Sequence, residues 1–231
     1  MRRNIAIILS AGSGIRMQAQ KPKQFLIINK KTILEHTISI FDKCPLIDEI
    51  LLVIRLEDHS EIKNILANVQ LNKQYHITFG GQERYHSTLS ALNFYKERTN
   101  INMIIHDAAR PLLAPSTLEQ CIKSLLHYSA VAVGTPSTDT LFKVDGSIIQ
   151  DIPNRQDFWH AQTPQCFHIE VLEQAFNKAL QDKNFRPTDD CSVIKTYCPE
   201  IPIFLIEGLH SNIKITHRND LLTAEILLNN N

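Results

Sequence analysis

The stretch Ile5-Ala6-Ile7-Ile8-Leu9-Ser10-Ala11-Gly12-Ser13-Gly14-Ile15-Arg16-Met17 carries the first decision about the fold. Its apolar run from Ile5 to Leu9 has the length of a buried strand, too short for a membrane span. Small residues follow at once. They let a backbone approach phosphate oxygens closely, and successive N–H groups there form an anion-binding nest. Two familiar loops are excluded. A dinucleotide fingerprint needs a third small residue where Met17 stands, and a P-loop needs Gly-Lys-Ser/Thr, which does not follow. Instead Arg16, and then Lys21-Pro22-Lys23-Gln24, place cations beside the loop, which suits a triphosphate whose α-phosphorus must become electrophilic. Taken alone, Gly-x-Gly is equally compatible with a plain strand-to-helix turn and solvated charges.

Outward from this stretch, apolar runs rich in β-branched residues alternate with helical segments. Strands are expected at Ile50–Ile54, Tyr75–Phe79, Met103–His106, Ala130–Gly134 and Ile203–Ile206. Helices are expected at Ile33–Phe41, Glu57–Val69, Arg84–Lys96, Thr117–Tyr128, Ile169–Leu180, Asp189–Tyr197 and Arg218–Asn229. Such alternation predicts an α/β fold, a mostly parallel sheet with helices on both faces. The rhythm breaks where Thr140–Val144 and Ile148–Gln150 flank Asp145-Gly146, a hairpin signal. One domain over residues 1–231 is expected, with a hairpin arm over 138–159.

Composition narrows the function. Lys+Arg and Asp+Glu are each 24, so the basic excess of a chain that wraps nucleic acid is missing. The five cysteines are scattered, with no CxxC pair, and no secretory pattern is read. These features predict a cytoplasmic protein with reduced thiols, engaging neither nucleic acid nor membrane.

Two further segments carry chemistry. His106-Asp107-Ala108-Ala109-Arg110-Pro111 ends a predicted central strand, where open α/β sheets bind ligands. Asp107 there suits Mg²⁺, which takes one or two carboxylates plus substrate phosphates; capping a helix or pairing with Arg110 are the alternatives. His106 is expected to be a packed neighbour. In Gly80-Gly81-Gln82-Glu83-Arg84-Tyr85-His86-Ser87, paired glycines would let backbone run close to a flat base, or simply open a helix.

In order, Ala-Gly-x-Gly-x-Arg-Met, Pro-Lys-Gln-Phe, Gly-Gly-x-x-Arg-x-x-Ser, His-Asp-Ala-Ala-Arg-Pro, Gln-Thr-Pro-Gln-x-Phe, Thr-Asp-Asp and Ser-Asn-Ile-Lys-Ile-Thr run from about Ile5 to Leu222. Together they resemble the 2-C-methyl-D-erythritol 4-phosphate cytidylyltransferase (IspD) family and its sister, the ribitol-5-phosphate cytidylyltransferases. The resemblance implies a Rossmann-like nucleotidyltransferase fold, CTP and a small polyol phosphate as substrates, Mg²⁺ or another divalent cation, and a homodimer joined through the hairpin arm. It implies that Arg16, Lys23, Arg155 and Lys214 are catalytic, and that Ala11, Gly12, Gly14, Gly81, Gln82 and Ser87 bind the nucleotide. Asp107 would hold the metal, and Arg110, Thr140 and Arg155 the acceptor. Read without the family, Lys214 in Ile213-Lys214-Ile215 is a solvent-facing strand position.

The chemistry agrees with the resemblance. The acceptor phosphate is itself the nucleophile and is ionised at neutral pH, so the task is to hold two anions in line. His106-Asp107-Ala108-Ala109-Arg110-Pro111 and Phe158-Trp159-His160-Ala161 lean towards methylerythritol phosphate. Leu9-Ser10-Ala11 fits neither branch's usual first loop. Ile152-Pro153-Asn154-Arg155, Gln162-Thr163-Pro164-Gln165, Ser211-Asn212 and Thr188-Asp189-Asp190-Cys191 lean towards ribitol phosphate. Methylerythritol phosphate is placed first. The rival classes are a non-catalytic sensor of CTP or a polyol phosphate, and an NAD-dependent oxidoreductase, which Met17 disfavours.

Overall fold

The computed structural model describes residues 2–12 and 21–229. Its elements are β1 (Arg3–Ser10), β2 (Ile27–Ile28), β3 (Lys31–Thr32), α1 (Ile33–Lys43), β4 (Glu49–Ile54), α2 (His59–Asn68), β5 (Gln74–Phe79), α3 (Arg84–Phe94), β6 (Ile101–Asp107), α4 (Pro115–Ser124), β7 (Ala130–Pro136), β8 (Lys143–Asp145), β9 (Ile148–Asp151), β10 (Trp159–His168), α5 (Ile169–Ala179), α6 (Asp190–Tyr197), β11 (Phe204–Glu207) and α7 (Arg218–Asn229). Seven strands form the main sheet in the order β11-β7-β10-β6-β1-β4-β5. Every pairing is parallel except those of β10, which runs against both β6 and β7.

The central strands alternate because helices cover both faces. Ala6 and Ile8 of β1 face α1, α2 and α4 through Leu34, Phe41, Ile62 and Leu118. Ile5, Ile7 and Leu9 face α3, α5 and α6 through Leu92, Leu172, Phe176 and Ile194. With both faces covered, the uninterrupted apolar runs of β1 and β4 are what the sheet requires. A smaller cluster of Ile28, Ile33, Leu112, Ile215 and Ala224 sits beneath α7. This is the Rossmann-like architecture, with ligand space expected beyond the carboxyl ends of the parallel strands.

Three expectations are corrected. No strand is expected between the arm and the helix at Ile169, yet β10 fills that stretch, although Gln162-Thr163-Pro164-Gln165 is polar and carries a proline, which is unusual in a central strand. The strand tolerates Pro164 because its register shifts between Gln162 and Gln165, so the ladder asks no donor of that position. Ile213-Lys214-Ile215, expected in a strand, is irregular backbone. In the hairpin, Thr140 precedes the paired segment, which begins at Lys143; Asp145 is the last paired residue of β8, and the turn is made by Gly146, at φ 57, and Ser147. That left-handed conformation suits glycine, which has no Cβ to clash.

Candidate active site

Parallel register sets the site. Leu9 of β1 lies beside Asp107 of β6, so the end of the first strand and the Asp107 carboxylate share one rim of the sheet. A cavity of about 440 Å³ opens there. Ala11, Gly12, Lys23, Gly81, Gln82, Ser87, Asp107 and Lys214 all line it, as do Arg84 and Thr216.

Each cation is delivered by anchored backbone. Lys23 opens a short 3₁₀ turn, Lys23–Phe25. The adjoining Gln24 is buried and donates to the Ser10 carbonyl at 3.1 Å and to Asp58 at 3.3 Å. Asp58 is gripped in turn by Arg55 at 2.8 and 2.6 Å. Lys23 Nζ donates to the Ile215 carbonyl at 2.8 Å, which ties this turn to the segment carrying Lys214. That segment is pinned on both sides. Asn212 Nδ2 donates to Gln162 Oε1 and to the Thr163 carbonyl, each at 2.9 Å, and the Ile215 N–H donates to the Ala109 carbonyl at 2.9 Å.

Lys214 Nζ stands 2.6 Å from Asp107 Oδ2, and Arg84 Nε lies 3.4 Å from Asp107 Oδ1. Asp107 therefore pairs with these two cations and not with Arg110. Burial, the largest influence on its carboxyl, would raise its pKa, but Arg84 and Lys214 together hold it below the usual carboxylate range. Arg84 is also 2.7 Å from Asp190. Burial opposes the Arg84 charge, and Asp190 and Asp107 overcome it, so the guanidinium is held more firmly protonated than usual.

His106 proves to be a packed neighbour, its ring 5.2 Å from that of Phe41. Its Nε2 faces the Arg110 carbonyl at 3.0 Å, which can only accept, so Nε2 carries the proton. Nδ1 then accepts from the Thr163 hydroxyl at 3.0 Å, and that oxygen takes the Asp107 N–H at 3.1 Å. Burial pushes the imidazole down to about 4, so it stays neutral at physiological pH.

Ser87, also in the lining, packs against Gly80. A Cβ at position 80 would come within 2.4 Å of Ser87 Oγ and 2.8 Å of the Ala11 Cβ. Glycine is what allows the first loop and the start of α3 to meet.

The remaining site residues fall elsewhere. Arg110 does not line the cavity; its guanidinium donates to the Asn212 carbonyl at 2.7 Å and to the Ala161 carbonyl at 3.3 Å. Thr140 and Arg155 are exposed at the base of the hairpin, where Arg155 donates to the Thr138 carbonyl at 2.9 Å. Arg16 and Gly14 lie outside the described residues. Reading the sequence missed Arg84 as a residue of the cavity lining and Asp190 as its buried partner, although both stand inside quoted motifs, Gly-Gly-x-x-Arg and Thr-Asp-Asp.

Comparison with known proteins fits this geometry. Residues 4–230 match the model of the IspD family, described as 2-C-methyl-D-erythritol 4-phosphate cytidylyltransferase. The chain is 38% identical over 229 residues to the 2-C-methyl-D-erythritol 4-phosphate cytidylyltransferase of Thermobifida fusca, covering 96% of this chain and 92% of that protein. It is 40% identical over 228 residues to a bifunctional ribulose 5-phosphate reductase/CDP-ribitol pyrophosphorylase of Haemophilus influenzae, covering 97% of this chain and 48% of that longer protein. A crystal structure of 4-diphosphocytidyl-2C-methyl-D-erythritol synthase from Anaerococcus prevotii superposes with a TM-score of 0.85 at 29% identity, over 99% of this chain and 96% of that one. These likenesses displace the sensor and oxidoreductase readings: the chain belongs to the 2-C-methyl-D-erythritol 4-phosphate cytidylyltransferase (IspD) family of CTP-dependent nucleotidyltransferases.

Proposed function

We propose that the chain transfers CMP from CTP to the phosphate of 2-C-methyl-D-erythritol 4-phosphate, giving 4-diphosphocytidyl-2-C-methyl-D-erythritol and pyrophosphate. An acceptor phosphate oxygen attacks the α-phosphorus, a new P–O–P link forms, and the bond to the β-phosphate breaks as pyrophosphate leaves. The observation that carries this reading is the convergence of Lys23, Asp107 and Lys214 on one cavity that Gly81, Gln82 and Ser87 also line. Lys23 and Lys214 would offset charge that builds on the α-phosphate, a preorganised electrostatic role. Arg16, on the same first loop in sequence, would share that task. Gly81, Gln82 and Ser87 would hold the cytosine, and Ala11, Gly12 and Gly14 the triphosphate.

A divalent cation, Mg²⁺ first, fits the donors present. Among the described residues no three His, Cys, Asp or Glu side chains form a metal-binding group. Mg²⁺ needs no such group, because it takes one or two carboxylates together with substrate phosphates. Asp107 is a carboxylate kept ionised at the cavity wall. The cation would neutralise phosphate charge, and Asp107 would fix its place.

The acceptor would be gripped by Thr140 and Arg155 of the arm, with Arg110 near the polyol. The arm exposes Phe142, Val144, Ile148, Ile149 and Ile152. Large apolar side chains in such numbers call for a cover, and a second copy presenting its own arm would supply it. In that homodimer Arg155 would serve the partner's cavity, where a guanidinium fork binds a terminal phosphate bidentately. The chain would then act as one domain plus its arm. No described helix is long and apolar enough to cross a membrane, and we place the enzyme in the cytoplasm, with no nucleic-acid partner.

The Haemophilus influenzae relative favours a second acceptor, ribitol 5-phosphate, giving CDP-ribitol. Pyrophosphate release with CTP and Mg²⁺, run in parallel on the two polyol phosphates, tests both. Faster turnover of methylerythritol phosphate is expected. Faster turnover of ribitol phosphate would transfer the assignment, and release with neither would remove both.

A further inference from the structure

Behind Asp107 lies a chain of polar groups that the reaction as described does not use. Asp190 opens α6 and is 1% exposed, yet both of its oxygens are occupied. Oδ2 accepts from Arg84 Nη1 and Oδ1 from the Thr88 hydroxyl, each at 2.7 Å. Arg84 and Thr88 are four residues apart on α3 and so share one face of that helix. The start of α6 is fixed independently. Asp189 accepts from the Ser192 N–H at 2.8 Å and from Gln165 Nε2 at 2.6 Å.

A carboxylate this deeply buried is costly to keep ionised unless it is paired and hydrogen-bonded. Asp190 is absent from the cavity wall, and its cationic partner is the Arg84 that also reaches Asp107. One guanidinium therefore spans two carboxylates, one sealed and one open. Its third nitrogen, Nη2, has no hydrogen-bond partner among the described residues, so the two contacts alone fix its plane.

We propose that Arg84 is a positioning residue: held from behind by Asp190 and Thr88, it fixes the Asp107 carboxylate before the cation and CTP arrive. This rests on the reading of Asp107 as the residue that holds the cation. Fixing such a carboxylate through its outer partners is a general device, and loss of one partner typically weakens metal binding by about 10- to 100-fold. An ammonium could supply the charge but not the fork that meets both carboxylates. The two arms of the brace predict different things from a simple salt bridge: what matters is the orientation of Asp107, so charge without geometry should not substitute.

The test is calorimetric titration of CTP, with Mg²⁺ and again in EDTA, on the native chain, Asp190→Asn, Arg84→Lys, Asp107→Asn, and each of the first two combined with Asp107→Asn. Asp190→Asn is close to isosteric and keeps the assay open if Arg84→Lys does not fold, which a melting curve reports. Each single brace variant should weaken CTP binding in Mg²⁺ by about tenfold. Binding in EDTA should change by less than about twofold, and the loss should vanish in the Asp107→Asn background, because coupled residues fail to add. Equal losses with and without Mg²⁺, or a loss that persists without the Asp107 charge, would overturn the positioning role while leaving Asp107 as the cation's residue. If Asp107→Asn itself leaves the Mg²⁺ effect untouched, the metal reading falls and the proposal falls with it.

Discussion

Two buried carboxylates stand at opposite ends of the same sheet, and they are built from similar parts. Glu49 begins β4, level with Ile5 of β1, whereas Asp107 ends β6, level with Leu9. Four residues separate these levels, or about 13 Å along the strands. Glu49 is 1% exposed and accepts from the Tyr95 hydroxyl at 2.5 Å and from Arg3 at 3.0 Å, with His76 and Arg98 at 3.5 and 3.7 Å. Asp107 has Lys214 and Arg84. Cation clustering alone would mark both as sites. What separates them is access: Glu49 is 1% exposed and away from the cavity, while Asp107 opens onto about 440 Å³ whose lining also includes Lys23 and Lys214. The first network joins strand ends and helices; the second lies in the wall of the cavity.

The largest expected effect belongs to the open end. Lys23→Ala should lower kcat on the order of 100- to 1000-fold while CTP binding changes little, because its proposed contact strengthens only as charge builds. Equal losses in turnover and binding would make Lys23 a ground-state contact. A crossed pair of variants comes next. Glu49→Ala should cost about 2 kcal/mol by urea unfolding, since it strands the Tyr95 hydroxyl, while Arg3 and Arg98 are half exposed and return to water. Its kcat should stay within about twofold, as expected of a change remote from the site. Asp107→Asn should instead lower turnover about 100-fold. If both variants kept activity, the distinction drawn from access would be wrong.

How much of this was legible in advance follows from the kind of signal each region carries. The parallel core was, because burial on both faces leaves a continuous apolar run in β1 and β4. Lys23, Asp107 and Lys214 were recognised through motifs, but the reason they converge was not. Convergence depends on strand register and on Asn212 seated against Gln162 and Thr163, contacts between residues about 50 positions apart. β10 was hidden because its partners accommodate a proline that periodicity would penalise. The role of Arg84 was hidden for a related reason: its partner Asp190 lies 106 residues away, and no local pattern reports such a pair.

A smaller effect is expected outside both ends. Arg155→Ala should raise the KM for the polyol phosphate by about tenfold and leave that for CTP unchanged, as loss of one charge-assisted contact would. Mixing that variant with Lys23→Ala sharpens the contrast. If arms serve the partner's cavity, mixed dimers assayed at acceptor well below the raised KM regain turnover beyond what the two parents give there. Absence of any gain would confine each Arg155 to its own chain.

The smallest expected effect probes whether the Glu49 end is as closed as its burial indicates. Burial pushes the Tyr95 hydroxyl upward, and the hydrogen bond and charge of Glu49 push it further. The folded chain therefore holds this proton more tightly than the unfolded chain, in which tyrosine titrates near pH ~10. A raised folded pKa contributes stability that is fully present below that value and is lost as the pH climbs beyond it, with a slope approaching about 1.4 kcal/mol per pH unit. Tyr95→Phe abolishes this contribution. At neutral pH it should cost about 1 kcal/mol, because Glu49 loses its shortest donor. Unfolding in urea at pH 8, 9.5 and 10.5 should thus show the native chain losing stability faster than Tyr95→Phe at the alkaline end, so that the gap between them closes. Parallel curves would mean that Tyr95 titrates alike in both states, that water reaches Glu49, and that the two ends of the sheet differ less than their exposure implies.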